Sequence, residues 1–229
     1  MKLKQINHLA FITRDIRQTI RFYRDLLGME LEIGMGYDGY RHYFFKTGDN
    51  YIAFFEYDQA RPMVRKDHGE PTSEPLGFDH VAFGVERRED LFALRDRLEA
   101  AGFPVRGAID HGIIWSIYFF DPNNIPLEAA WQCLEIRKSP AVLDDRPLDL
   151  IAEGSAPRTG IWPEVTRPTP PEEMTAQPGG GYTLRDHFLK QGWAVKDPEF
   201  SRQNLRETGG REETQLNDGG PQASHRCFR

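Results

Sequence analysis

Hydrophobic residues recur along the first 133 positions with two periods, and the same succession of periods occurs twice. A short strand-like run opens each half, INHLAF at residues 6–11 and FDHVAF at residues 78–83. An amphipathic helical pattern follows each run and ends at a glycine, Gly28 or Gly102, as the left-handed position after a helix favours. Two strands around a tight polar turn then follow, so each half is predicted to have the order β-α-β-β-β.

The repeat sets the predicted domain organisation. Residues 1–135 are expected to form one α+β domain of two modules, at about 1–60 and 76–133. Residues 136–200 are rich in Pro, Gly and Thr, which predicts an extended arm with a short helix near 183–193. Residues 201–229 are polar and are predicted to be disordered. Several apolar side chains of the arm are expected to lie on the modules or on a second subunit: Ile161, Trp162, Tyr182, Leu184, Phe188 and Trp193.

Composition narrows the classes of function. The 229 residues carry a net charge of -6, which gives no basis for a nucleic-acid surface. The two cysteines, Cys133 and Cys227, favour neither a disulfide framework nor a zinc–thiolate site. The N-terminus lacks the apolar core of a signal peptide, and no apolar run reaches membrane-spanning length. We therefore expect a cytoplasmic protein without nucleic-acid or membrane partners.

Paired βαβββ modules with a histidine on the first strand of each resemble the vicinal oxygen chelate superfamily. That superfamily includes glyoxalases, bleomycin- and fosfomycin-resistance proteins, epimerases and extradiol dioxygenases. The resemblance covers residues 1–133 and implies that the modules form a curled mixed sheet around a metal cleft. It also implies that His8, His80 and Glu128 are the metal ligands.

The chemistry of these three residue types suits such a centre. Imidazole nitrogen binds Fe, Mn, Ni and Zn, and a carboxylate adds charge and a hard oxygen. Two His and one carboxylate occupy one face of the metal and leave the other face open to a bidentate substrate. Each residue alone is more often structural, but three together at repeat-related positions favour a metal site.

A fourth ligand would change the reaction, because glyoxalase-type enzymes resemble a His/Glu/His/Glu pattern. Glu56 is a candidate, since it lies 48 residues after His8, as Glu128 lies 48 after His80. Alignment of Tyr43 with Tyr118 instead makes Ala53 the counterpart of Glu128 in the first module, since each lies ten residues after its tyrosine. Since Ala53 and Glu56 are three residues apart, they would point to opposite faces of a strand. We therefore predict that Glu56 is a strand-end polar residue and that the centre has three protein ligands.

Residues 109–128, IDHGIIWSIYFFDPNNIPLE, resemble the signature of extradiol ring-cleaving dioxygenases. Asn124 departs from that pattern, which has Gly or Pro there, although Asn also tolerates left-handed conformations. The resemblance implies that His111 and Tyr118 hydrogen-bond the substrate oxygens. Extradiol enzymes also use an acid–base histidine, and His68, twelve residues before His80, is the candidate.

These features favour an Fe(II)-dependent extradiol-type dioxygenase acting on a catechol-like aromatic, with a homodimer expected from the resemblance. One alternative is a lyase, isomerase or epimerase that uses Ni, Zn or Mn on another vicinal-oxygen substrate. The other is a protein that sequesters a small ligand without catalysis, as bleomycin-resistance proteins do. The presence of all three ligand types argues against the last alternative.

Overall fold

The computed structural model describes residues 5–37, 40–73, 78–177, 179 and 181–198. The predicted disordered tail, residues 201–229, lies outside this part of the chain. The chain divides into two compact units, the first ending at Thr169 and the second beginning at Pro170. Within the described ranges, none of the helices has both the length and the apolar character needed to cross a membrane.

The first unit contains two modules, each built on a four-stranded mixed sheet. The first module comprises β1 (His8–Thr13), α1 (Ile16–Ile20) with a π-helical continuation (Arg21–Leu26), β2 (Glu30–Tyr37), β3 (Tyr40–Thr47) and β4 (Asn50–Glu56). The second comprises β5 (Val81–Val85), α2 (Arg88–Ala100), β6 (Arg106–Asp110), β7 (Ile114–Phe120) and β8 (Pro126–Gln132). The strand orders, β1-β4-β3-β2 and β5-β8-β7-β6, are the same, which confirms the predicted pair of βαβββ modules.

Local sequence explains where the helices begin and end. Asp15 caps α1 by accepting a hydrogen bond from the Gln18 amide at 3.0 Å. Glu56, at the end of β4, accepts one from the Ile16 amide at 2.9 Å, so it is the strand-end polar residue that we predicted. Both helical segments are followed by glycines with positive φ, 80° at Gly28 and 82° at Gly102, as the sequence predicts.

The strand register relates the two modules residue by residue. In the second module, Glu128 pairs with Ala82, which lies two residues after His80. In the first module, Ala53 pairs with Ala10, which lies two residues after His8. Ala53 therefore occupies the position of Glu128, and the second module alone has a carboxylate there.

One face of each sheet packs into a core that the two modules share. The core cluster includes Phe45 and Phe54 from the first sheet and Phe119 and Leu127 from the second. Phe22 of the first module packs its ring 4.9 Å from that of Phe103 in the second. The other face of each sheet lies outside this core, and we call it the open face. It carries alternate residues of the strands, among them His8, Ala10, Ile12, Ala53, Ala82, Ser116, Tyr118 and Glu128.

The turn between β7 and β8, residues 121–125, ties the modules together, and its residues Asp121, Asn123 and Ile125 are buried. Its Asp121 side chain is 1% exposed and accepts hydrogen bonds from the amides of Asn123 and Ile125, both at 2.8 Å. Tyr23 of the first module donates its hydroxyl to the same carboxylate at 3.3 Å. Thr13 donates to Asn123 at 2.9 Å. Because the polar groups of the turn are satisfied in this way, it can lie between the modules.

The C-terminal arm contains α3 (Asp149–Ala152), a 3-10 turn (Pro171–Glu173) and α4 (Tyr182–Gln191). The last lies close to the helix predicted near 183–193. Of the six apolar side chains named in the sequence analysis, three are exposed: Ile161 by 64%, Trp162 by 83% and Trp193 by 67%. Leu184 and Phe188 are half-buried, and the side chain of Tyr182 lies outside the described part of the chain. Ile161 and Trp162 are therefore not covered by the paired modules. The other alternative, that a second subunit covers them, stays a prediction.

Truncation after Lys138 should consequently weaken dimerisation while the modules stay folded. The reason is that the shared core lies before this point, whereas the exposed apolar residues of the arm lie after it. Mass in solution, measured by light scattering, and the melting temperature test this. Removal of residues 201–229 alone is the control and should change neither. An unchanged mass and melting temperature after the longer truncation would show that the arm stabilises nothing.

Candidate metal centre

A histidine and a carboxylate meet on the open face of the second module. The Nε2 atom of His80, just before β5, lies 2.6 Å from Oε2 of Glu128 on β8. Glu128 is only 3% exposed, and Ser116 on β7 donates its hydroxyl to the other carboxylate oxygen, Oε1. Because a buried carboxylate is costly without partners, this arrangement points to a site rather than to a surface charge.

Neighbouring polar side chains orient both candidate histidine ligands. Asp79 Oδ1 lies 2.6 Å from Nδ1 of His80, and Asn7 Oδ1 lies 2.8 Å from Nδ1 of His8. An oxygen that accepts the Nδ1 proton leaves Nε2 as the ring nitrogen that could bind a metal. In His80 this nitrogen lies against the Glu128 carboxylate, at 2.6 Å. Our sequence reasoning missed Asn7, Asp79 and Ser116. The signal for the first two was the polar residue that precedes the histidine in both repeats.

His8 does not join His80 and Glu128 within one copy of the chain. It is exposed at the start of β1 on the first sheet, where its ring packs edge-on against Phe44 at 5.8 Å. Among the residues that the structure describes, no group of three or more His, Cys, Asp or Glu could hold a metal ion. The donor types and the orientation of His80 and Glu128 suit a divalent metal, but these two residues are only part of a centre.

The three residues predicted to act on the substrate all lie at the second module. The His68 ring is 5.5 Å from that of His80 and 4.7 Å from that of Tyr118. His111 Nε2 lies 2.8 Å from the Tyr118 hydroxyl. Tyr118 pairs with Glu128 across β7 and β8, so its side chain shares the open face with the carboxylate.

Hydrogen bonding fixes the tautomer of His68. Its Nε2 atom lies 3.0 Å from the carbonyl oxygen of Leu127. Because a carbonyl only accepts, Nε2 carries the proton and Nδ1 carries the lone pair. The pKa of His68 is lowered, mainly by burial and then by the charge of His80. This nitrogen is therefore a base at neutral pH.

Other groups in the centre also have shifted acidities. The pKa of Tyr118 is raised by burial and by the Glu128 charge, so its phenol keeps its proton. The pKa of Asp79 is held far below its usual range by hydrogen bonds from Lys66 and then from His80. Asp79 is therefore an anion throughout the physiological range and keeps its hold on the His80 ring.

Two βαβββ modules with a histidine at the head of each first strand, and a carboxylate beside one of them, define the chain as a vicinal oxygen chelate protein. A family model described as "Glyoxalase/Bleomycin resistance protein/Dioxygenase superfamily" matches residues 5–129. The chain belongs to this superfamily.

The chain is also similar to individual proteins. The glutathione transferase FosA of Serratia marcescens is 31% identical over 127 residues, which are 55% of this chain and 79% of that protein. A glyoxylase/bleomycin resistance protein/dioxygenase domain from Frankia sp. EAN1pec is 26% identical, with a TM-score of 0.48, and the match covers 57% of this chain and 93% of that one. The fosfomycin resistance protein FosX of Listeria monocytogenes, solved with Mn(II) and sulfate, is 22% identical, with a TM-score of 0.44, over 59% of this chain and 98% of that one.

Proposed function

We propose that the protein is a metal-dependent enzyme that binds a small substrate through two adjacent oxygens and cleaves a catechol-like ring by extradiol-type chemistry. The observation that carries this proposal is the meeting of His80 and Glu128 beside Tyr118 and His68. A ligand pair, a phenol and a basic imidazole on one open face are what a substrate with two ionisable oxygens needs.

The metal set is His80 and Glu128 of one copy and His8 of a second copy. Since one copy does not assemble the three ligands, a homodimer that brings the first module of one copy to the second module of the other would complete the centre. A divalent metal bound there, Fe(II) for ring cleavage or Mn, Ni or Zn for other reactions, would supply Lewis acidity toward both substrate oxygens.

Side chains beside the ligands would move the substrate proton and orient the substrate. Nδ1 of His68 has the free lone pair, so it takes the proton from a substrate hydroxyl that approaches the open face. Tyr118, which keeps its phenolic proton, donates a hydrogen bond to a substrate oxygen, while His111 holds the phenol in place at 2.8 Å. The aromatic rings of Tyr118 and Phe120 offer an apolar surface to an aromatic substrate.

Oxygen consumption tests the proposal. The protein, reconstituted anaerobically with Fe(II) and then given catechol in air, should consume oxygen and form a yellow ring-cleavage product. The His68→Asn variant should lower kcat by about 100-fold or more, because it removes the proton acceptor. His187→Asn, in α4, is the matched control and should leave kcat unchanged. Absence of oxygen uptake with Fe(II) and a panel of catechols would refute ring cleavage.

A second candidate function rests on the FosA relative, which is named a glutathione transferase. In that reaction class a thiol is added to a small substrate and oxygen is not consumed. Anaerobic loss of glutathione thiol in the presence of Mn(II) and a small electrophile would favour this candidate over ring cleavage. The same His80 and Glu128 ligands would serve both reactions, since each needs a polarised substrate oxygen.

A further inference from the structure

The segment that connects the two modules carries His68 and lies along the β7–β8 hairpin. We call residues 63–69 the linker segment. The amide of Met63 donates to the carbonyl of Asn123 at 2.8 Å, and the side-chain amide of Asn124 donates to the carbonyl of Met63, also at 2.8 Å. The start of the linker segment is therefore hydrogen-bonded to the turn of the second module.

Asn124 makes a second contact with the linker segment. Its Oδ1 accepts a hydrogen bond from Nε of Arg65 at 2.9 Å, and the Arg65 guanidinium lies 4.8 Å from the centre of the Phe120 ring. Asn124 also has a φ of 61°, in the left-handed region. Glycine could adopt this turn as well, but it has no side chain to hold the linker segment.

The other end of the linker segment is held by Asp79. This carboxylate accepts hydrogen bonds from Nζ of Lys66 at 2.5 Å and from the amide of Gly69 at 3.0 Å. His68 lies between these two anchors, and its own Nε2 bonds to Leu127. The contacts at both ends of the linker segment thus hold the His68 imidazole against the centre.

We propose that Asn124 is a positioning residue: by holding the linker segment at Met63 and Arg65, it keeps His68 against Tyr118 and His80. The proposal rests on the proposed function only in the proton transfer that it assigns to His68. Its geometric part, that Asn124 restricts His68, holds for whatever reaction the centre performs. Loss of both side-chain hydrogen bonds of Asn124 should let the linker segment open about tenfold more often.

The test compares Asn124→Gly with the wild-type protein. Glycine keeps the left-handed turn and removes only the side chain, so the melting temperature should change little. The rate at which diethyl pyrocarbonate modifies His68, followed by mass spectrometry with the exposed His187 as internal reference, should rise about tenfold. Arg65→Met removes the partner of Oδ1 and should raise the same rate, by a smaller factor. Arg61→Met, at an exposed arginine just before the linker segment, is the matched control and should leave it unchanged.

Catalysis provides the second measurement. With Fe(II) and catechol, Asn124→Gly should lower kcat about tenfold and leave KM almost unchanged, because the proton acceptor is misplaced while the ligands remain. Equal His68 modification rates in Asn124→Gly and wild type would overturn the proposal. Faster modification with unchanged kcat would overturn its catalytic part, the proton transfer assigned to His68. If the wild-type protein shows no catechol turnover, the proposed function fails on its own, and the modification rates still decide whether Asn124 positions His68.

Discussion

Each of the single substitutions His8→Ala, His80→Ala and Glu128→Ala should reduce metal affinity by more than about 100-fold and leave a folded protein. His8 and His80 lie outside the shared core, and Glu128 faces the open side of β8, so the packing of the modules does not depend on them. Metal content after dialysis, together with the melting curve of the metal-free protein, measures both parts. His187→Ala is the control, and full metal occupancy in Glu128→Ala would rule out the ligand assignment.

Mixing of inactive variants tests whether the centre forms between two copies. If His8 comes from one copy and His80 and Glu128 from the other, a mixture of His8→Ala and Glu128→Ala chains forms heterodimers with one intact centre. About a quarter of all centres should then be restored after the chains exchange. A mixture of His80→Ala and Glu128→Ala chains should restore none, because both lesions lie in the same half of each centre. Equal metal binding by the two mixtures would contradict a centre shared between copies.

Asp121→Ala should cost about 3–5 kcal/mol of the free energy of unfolding. The Asp121 carboxylate is buried and accepts hydrogen bonds from two backbone amides of its own turn and from the hydroxyl of Tyr23. Removal leaves these buried donors without an acceptor and breaks a contact between the modules. Urea denaturation measures the change. Both proteins are compared at the same concentration, so that dimerisation contributes equally to the two measurements.

Asp58→Ala is the matched control for this substitution, since it removes an exposed carboxylate from the loop after β4. It should change the free energy of unfolding by less than about 0.5 kcal/mol. A similar small change in Asp121→Ala would mean that the turn between β7 and β8 does not hold the modules together.

Much of the fold could be predicted because the signals are local. Short-range periodicity indicates the two glycines that end the helical segments. It also indicates His8 at the start of β1 and His80 just before β5. The repeat also predicted that Ala53 occupies the position in the first module that Glu128 occupies in the second, and the strand register confirms this.

The hairpin alignment was wrong by one residue, however. Phe44, and not Tyr43, is the counterpart of Tyr118, because Phe44 pairs with Ala53 as Tyr118 pairs with Glu128. The first hairpin turns within residues 48–49 and the second over residues 121–125. This difference in turn length moves the register, and a move of one residue changes the face to which a strand side chain points.

The position of His68 could not be derived from the sequence. It follows from contacts between residues about 60 positions apart, such as those of Met63 and Arg65 with Asn124. Hydrophobic periodicity carries no information about such pairs, since they depend on how the linker segment crosses the finished hairpin. The exposure of Trp162 is a tertiary property of the same kind.

Ala53 also makes the two modules of the chain inequivalent. At equivalent positions the first module presents a histidine alone, and the second presents a histidine and a carboxylate. A chain of two first halves would offer only histidines, whereas a chain of two second halves would bring two histidines and two carboxylates to each centre and leave less room for substrate. Because of this single alanine, the two modules cannot be interchanged without a change in the donor set that each centre would offer.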